Sequence, residues 1–162
     1  MEWNRPVYIR MGREATHSLY APDVRYEIGK ALVPREGDDG AFVCTGIMVH
    51  FAMEAAERIE RELGKRVRVV DMHTIKPLDR EAVIKAAEKT GCIVTAEEAN
   101  ILGGLGGAVA EVVTETCPVP VLRVGVKDIF GRSGDPYALL ERYELTAKDV
   151  AAAARRAVAM KK

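Results

Sequence analysis

Ile47, Phe51, Ala55, Ile59 and Leu63 recur at every fourth position, with Met48, Ala52 and Ala56 beside them. This period lays an apolar stripe along one face of a helix. The other face carries Glu54 with Arg58 and Glu57 with Arg61, opposite charges four residues apart that meet on a helix surface. Gly64 stands where a left-handed cap would stop the helix. Further along, apolar runs and helical periods alternate. Val67, Val69 and Val70 predict a strand that closes at Asp71. Asp79 is the expected N-cap of a helix faced by Ala82, Val83, Ala86 and Ala87 and ended by Gly91. A strand over 92–96 follows, then a glycine-rich loop over 103–107 and a helix faced by Ala108, Val109, Val112 and Val113. Pro118 and Pro120 stop that helix, and 121–124 reads as the last strand. Asp135-Pro136 opens a short helix with proline at its first position. Thr146 with Asp149 resembles a capping box at the start of the C-terminal helix.

The N-terminal part patterns differently. Residues 1–22 read as an extended arm: Pro6 to Arg10 could end a strand, and Met11 to Pro22 has no period. Val24, Tyr26 and Ile28 then alternate with Arg25 and Glu27, which predicts a half-buried strand. Gly29 is expected to shift its phase, so that Ala31 and Val33 take over the apolar positions. Pro34 to Gly40 reads as a turn, followed by a strand over 41–45. So tight a connection predicts that these two strands are antiparallel neighbours. Beyond them, repeated strand-helix-strand units force parallel neighbours with right-handed crossovers. The expected fold is a three-layer α/β/α sandwich on a mostly parallel five-stranded sheet with one antiparallel edge strand, over residues 23–162.

Length and charge narrow the function. The 162 residues carry 24 Lys plus Arg against 24 Asp plus Glu, a formal net charge of zero. A nucleic-acid binder normally shows a basic excess, so none is expected as a partner. No run of about 18 uncharged apolar residues exists, which excludes a helical membrane span. Trp3, Asn4 and Arg5 interrupt any basic-then-apolar leader pattern. Cys44, Cys92 and Cys117 are widely spaced and form no Cys-x-x-Cys pair, so they are expected to be free thiols, with no metal site, in a reducing cytoplasm.

Candidate chemistry concentrates at strand ends. Gly103, Gly104, Gly106 and Gly107 lead from a strand into a helix, where exposed amides suit a phosphate or carboxylate. The spacing is neither a dinucleotide fingerprint nor a P-loop, and a tight turn or subunit contact is the alternative. Glu97 and Glu98 end one strand and Asp71 another, the side on which open α/β sheets bind ligands. Neighbouring carboxylates point to opposite sides of a strand, so a helix-capping carboxylate beside a solvated one is an equal reading. His17 lies in the arm, and His50 lies off the apolar stripe of the long helix. His73 follows a strand end and is the best placed of the three, but no motif gives any of them a Ser, Cys or Asp partner. Gly37-Asp38-Asp39-Gly40 lacks a following Asn pair and reads as a hairpin turn. Arg10 and Arg13, three apart on the arm, could hold a phosphate through their planar forks or remain solvated.

Taken together these segments resemble a known family. Pro6 to Arg13 is similar to the end of the pyrimidine-binding domain of transketolase-type enzymes. Val24 to Lys30 with Glu36-Gly37-Asp38-Asp39, Thr45-Gly46-Ile47-Met48-Val49, Val70 to Asp79, Glu97-Glu98 with Gly103 to Glu111, Phe130-Gly131 and Leu145-Thr146-Ala147 resemble the C-terminal domain of those enzymes. The arm Tyr8-Ile9-Arg10-Met11-Gly12-Arg13 favours transketolase of the two-subunit type. 1-Deoxyxylulose-5-phosphate synthase, the β subunit of 2-oxoacid dehydrogenases and a free-standing anion-binding regulatory module remain alternatives. The resemblance implies an enzyme that moves a two-carbon ketol unit between sugar phosphates, a homodimer when complete. It implies that this chain is inactive alone and holds no cofactor, with thiamine diphosphate and magnesium bound by an N-terminal domain or subunit that partners it. It gives Arg13, with Arg10 beside it, the role of holding substrate phosphate. Relatives often carry His or Asn where Ala99 follows the paired glutamates, which turns the glycine loop toward a structural or subunit-contact role.

Overall fold

A computed structural model describes residues 4–12, 16 and 18–161. Five strands and five helices follow one another as β1 (Leu32–Arg35), β2 (Gly40–Cys44), α1 (Met48–Leu63), β3 (Val67–Asp71), α2 (Arg80–Thr90), β4 (Ile93–Asn100), α3 (Leu105–Thr116), β5 (Val121–Val126), α4 (Pro136–Arg142) and α5 (Ala147–Ala159). The sheet order is β1-β3-β2-β4-β5. Every pair is parallel except β1 with β3. The expected sandwich with one antiparallel edge strand is therefore present.

Alternation along the strands builds two cores. Phe42, Cys44, Val69 and Val94 face α1 and α5, while Val43, Val70 and Ile93 face α2 and α3. The helix termini follow the sequence signals. Gly64 caps α1 in the left-handed region at φ 63°. Asp79 accepts from the Ala82 amide at 3.1 Å, and Asp135 from the Ala138 amide at 3.0 Å. Asp149 accepts from the amide and the hydroxyl of Thr146 at 3.1 and 2.6 Å.

The first strand departs from expectation twice. Residues 24–28 form no strand; pairing begins at Leu32, opposite Asp71, the last residue of β3. Upstream of Leu32 the edge of the sheet offers no further ladder partner. Nor are β1 and β2 neighbours, because β3 runs between them. All five residues of β2 are buried, so β2 needs a strand on each side, and the half-exposed β1 with its Pro34 takes the edge. The segment Gly37-Asp38-Asp39-Gly40 is thus a strap across the amino end of β3 and not a hairpin turn. The Asp39 amide donates to the Arg66 carbonyl at 3.0 Å, and the Asp39 carboxylate accepts from the Arg66 amide at 2.8 Å. A Cβ on Gly37 would lie 2.7 Å from the Val67 carbonyl carbon, so only glycine passes there.

Two smaller differences bear on the site. β4 runs on to Asn100, and α3 starts at Leu105, which puts Gly106 and Gly107 inside its first turn. β2 leads into α1 on one face of the sheet and its neighbour β4 leads into α3 on the other. Their diverging connections open a crevice at the carboxyl edge, where sheets of this kind take ligands.

Candidate functional site

The N-terminal arm lies across that crevice. With Gly46, Ile47, His50 and Glu98 it encloses a cleft of about 680 Å³, closed on the far side by α4. The Arg10 guanidinium donates to the Glu98 carbonyl and lies 3.9 Å from the Glu98 carboxylate. Both side chains are about half exposed, so the pair contributes little stability but fixes where the arm meets β4. Arg13 and His17 lie outside the described residues. Of the adjacent pair, Glu98 is half exposed and meets the arm.

Sequence patterning weighed His50 only as off the apolar stripe and did not single out Tyr20. His50 sits in the first turn of α1, with Nε2 3.1 Å from Glu54 Oε1 and its ring 5.7 Å from that of Phe51. Its place one turn after the end of β2 was the available signal, since that turn borders the switch point.

A second group lies beside β3. The Tyr20 hydroxyl donates to Asp71 Oδ2 at 2.8 Å. Tyr26 meets Tyr20 edge-on at 6.0 Å and His73 edge-on at 5.1 Å, and His73 Nδ1 is 3.0 Å from the Thr74 hydroxyl. Tyr20, Tyr26, Asp71 and His73 border a cavity of about 510 Å³ that shares Thr16, Leu19 and Gly46 with the first cleft. Burial pushes the Asp71 carboxyl above its ordinary range, while the Tyr20 hydroxyl and His73 pull it down. Burial and then the Asp71 charge push the Tyr20 hydroxyl far above its ordinary value.

The glycine loop is engaged from within. The buried Glu97 accepts from the Leu105 amide at 2.8 Å and the Gly106 amide at 2.9 Å. A carboxylate of the chain itself occupies the anion position at the start of α3. A Cβ on Gly104 would lie 2.8 Å from Glu97 Cδ, and one on Gly106 would lie 2.7 Å from Arg123 Cδ. Gly103 and Gly107 face open space. Together with Pro77 and Leu78 they border a surface cleft of about 460 Å³ between α3 and the loop before α2. Cys44 and Cys92 are buried, Cys117 is half-buried, and all three are free.

A family profile described as "Transketolase, C-terminal domain" matches residues 29–150, which take in the whole sheet and the crevice. The chain belongs to the transketolase C-terminal domain family. It is 46% identical over 149 residues to a 6-deoxy-6-sulfo-D-fructose transketolase subunit of Clostridium sp. strain MSTE9, covering 92% of this chain and 46% of that protein. It is 40% identical over 144 residues to the 2-oxoisovalerate dehydrogenase subunit beta of Bacillus subtilis strain 168, covering 86% of this chain and 43% of that protein. A solved structure titled as a split gene transketolase, an inactive beta4 tetramer, superposes with TM-score 0.89 at 49% identity, covering 93% of this chain and 49% of that one. The chain spans about half the length of these two curated relatives.

The family implies thiamine diphosphate. Among the described residues no group of three His, Cys, Asp or Glu side chains could hold a metal ion, and the Leu105 and Gly106 amides at the start of α3 already serve Glu97. The described residues therefore do not fit a metal-bound diphosphate, and no chemical step is derived through it. No helix among them is long and apolar enough to cross a membrane.

Proposed function

We propose that this chain is the C-terminal domain of a split transketolase, a structural and substrate-positioning module of a cytoplasmic, homodimeric assembly. In this reading an N-terminal partner domain or subunit binds thiamine diphosphate and magnesium, and the assembly transfers a two-carbon ketol unit between anionic sugars. The observation that carries it is the match, over 93% of this chain at 49% identity, to half of a split gene transketolase chain. Arg13 and Arg10 hold the anionic end of the sugar. Arg10 lining the switch-point cleft supports this assignment. The relative from Clostridium is named for a sulfo sugar, so a sulfonate is to be tried beside a phosphate.

The test is turnover. The chain is assayed alone and together with the polypeptides that supply the remaining domains, using ketose phosphates, a sulfonated ketose and pyruvate. Turnover of anionic ketoses by the assembly alone is expected. Turnover by the isolated chain supplied with thiamine diphosphate and magnesium, or a preference for 2-oxoacids, refutes the proposal. Arg13→Ala should weaken phosphorylated substrates roughly ten- to a hundredfold, as loss of a charge-assisted contact does. It should spare the same ketose without its phosphate.

A further inference from the structure

We propose that Tyr20 and Asp71 are positioning residues for the anion-holding arm. The inference rests on the substrate reading given above and deepens it. The arm is pinned at two places on the carboxyl edge of the sheet. One pin is the Arg10 guanidinium on the Glu98 carbonyl at β4. The other is the Tyr20 hydroxyl on Asp71 at the end of β3, at 2.8 Å. β2 lies between those two strands, so the pins straddle the switch point. Thr16 and Leu19 of the arm border both the cleft and the Tyr20–Asp71 cavity, so the two share described arm residues. The Arg10 pin is half exposed and salt-screened, and it cannot define the path of the arm alone. The Asp71 pin is stiffer, because Asp71 is buried and the Tyr20 ring is braced by Tyr26, itself edge-on to His73.

Positioning and catalysis separate kinetically. Neither Tyr20 nor Asp71 lines the cleft, so loosening the pin should raise KM for an anionic sugar and leave kcat alone. In the assembled enzyme, Tyr20→Phe should raise KM for a ketose phosphate roughly three- to tenfold, the range of one net hydrogen bond. Its kcat, and its KM for the same ketose without phosphate, should stay within about twofold. Asp71→Asn keeps an oxygen that can accept from Tyr20 and should largely restore wild-type KM. The double variant Tyr20→Phe/Asp71→Ala should be no worse than either single change, since both remove one interaction.

Arg10→Ala/Arg13→Ala and hydrogen exchange of the arm are measured alongside. Selective loss with the arginine variant but not with Tyr20→Phe overturns the clamp and leaves the anion reading standing. No selectivity with the arginine variant overturns the anion reading, and the positioning role with it. Unchanged exchange of amides 7–12 in Tyr20→Phe overturns the clamp whatever the kinetics. Faster exchange together with the selective KM rise supports it.

Discussion

Glu97→Ala is the substitution whose cost the structure specifies most closely. The side chain is 1% exposed and accepts from two backbone amides at the start of α3, 2.8 and 2.9 Å away. Alanine leaves both donors buried without a partner, at roughly 1–3 kcal/mol each. It also removes a negative group from a helix N-terminus, a further few tenths to about 2 kcal/mol. Partial entry of water offsets some of this, so the expected loss is about 3–5 kcal/mol. For a chain of this size that lowers Tm by roughly 10 °C. Glu97→Gln keeps the shape and one acceptor oxygen, but turns an amide donor toward a second donor, and should cost about half as much. Urea unfolding with the midpoint and slope fitted separately gives the numbers, and hydrogen exchange at Leu105 and Gly106 locates them. A cost for Glu97→Ala below about 1 kcal/mol, or unaltered exchange at those two amides, would refute the argument. So would a tenfold loss of turnover in an assembly whose Glu97→Gln chain is still fully folded, because that would move Glu97 from the α3 cap into the chemistry.

Other perturbations separate local causes. Gly106→Ala should destabilise by about 2–4 kcal/mol, because its Cβ would meet Arg123 and Thr95 inside 3 Å. Gly107→Ala, one residue on and in open space, should stabilise α3 by about 0.5–1 kcal/mol; equal effects by thermal unfolding would contradict the packing at this loop. Asp79→Ala should cost about 2 kcal/mol in urea, since that carboxylate caps α2 and also accepts from the Ala31 amide at 2.9 Å. Two carboxylates should respond to pH with opposite sign. The Arg66 amide and Lys65 hold Asp39 below the ordinary carboxylate range, so its contribution is present above about pH 4 and fades as pH falls through its folded value. Burial holds Asp71 above that range, so its contribution is full below about pH 4 and fades as pH rises through its folded value. Relative to wild type, Asp39→Asn should therefore look best in acid and Asp71→Asn best near neutrality; parallel pH profiles would contradict the assignment.

The helices were legible because their signals are short-ranged. The stripe from Ile47 to Leu63, the carboxylates of Asp79, Asp135 and Asp149, and the stop at Gly64 act within four residues of the groups they satisfy. Strand partnership is a long-range matter. The sequence from Pro34 to Gly40 bends as a turn does, yet β3, some thirty residues later, lies between the two strands it joins. Only the uniform burial of β2 against the half-exposure of β1 decides which strand takes the edge. The site shows the same division. Carboxylates at strand ends were visible in the sequence, and one of the adjacent pair does cap a helix. Their partners were not visible: Glu97 reaches amides eight and nine residues on, and Asp71 takes a hydroxyl fifty-one residues upstream.

Those partners argue for how the carboxyl edge is used. An open α/β sheet normally offers that edge to a ligand, with helix amides for an anion and strand-end carboxylates for hydroxyls or metals. Here Glu97 occupies two of the α3 amides, and Tyr20 occupies Asp71. Glu98 meets Arg10. Three strand-end carboxylates are thus engaged from within the chain, two of them by the arm. What the arm brings to the crevice is the opposite charge, carried by a guanidinium at the rim of the largest described cleft. Under the proposed function, a domain that satisfies its own acidic groups and lays an arginine over its switch point would receive the anionic tail of a substrate whose reacting carbons lie in another domain. Under the proposed function, that is why a catalytic assembly would keep this module although the described residues make no site for its cofactor.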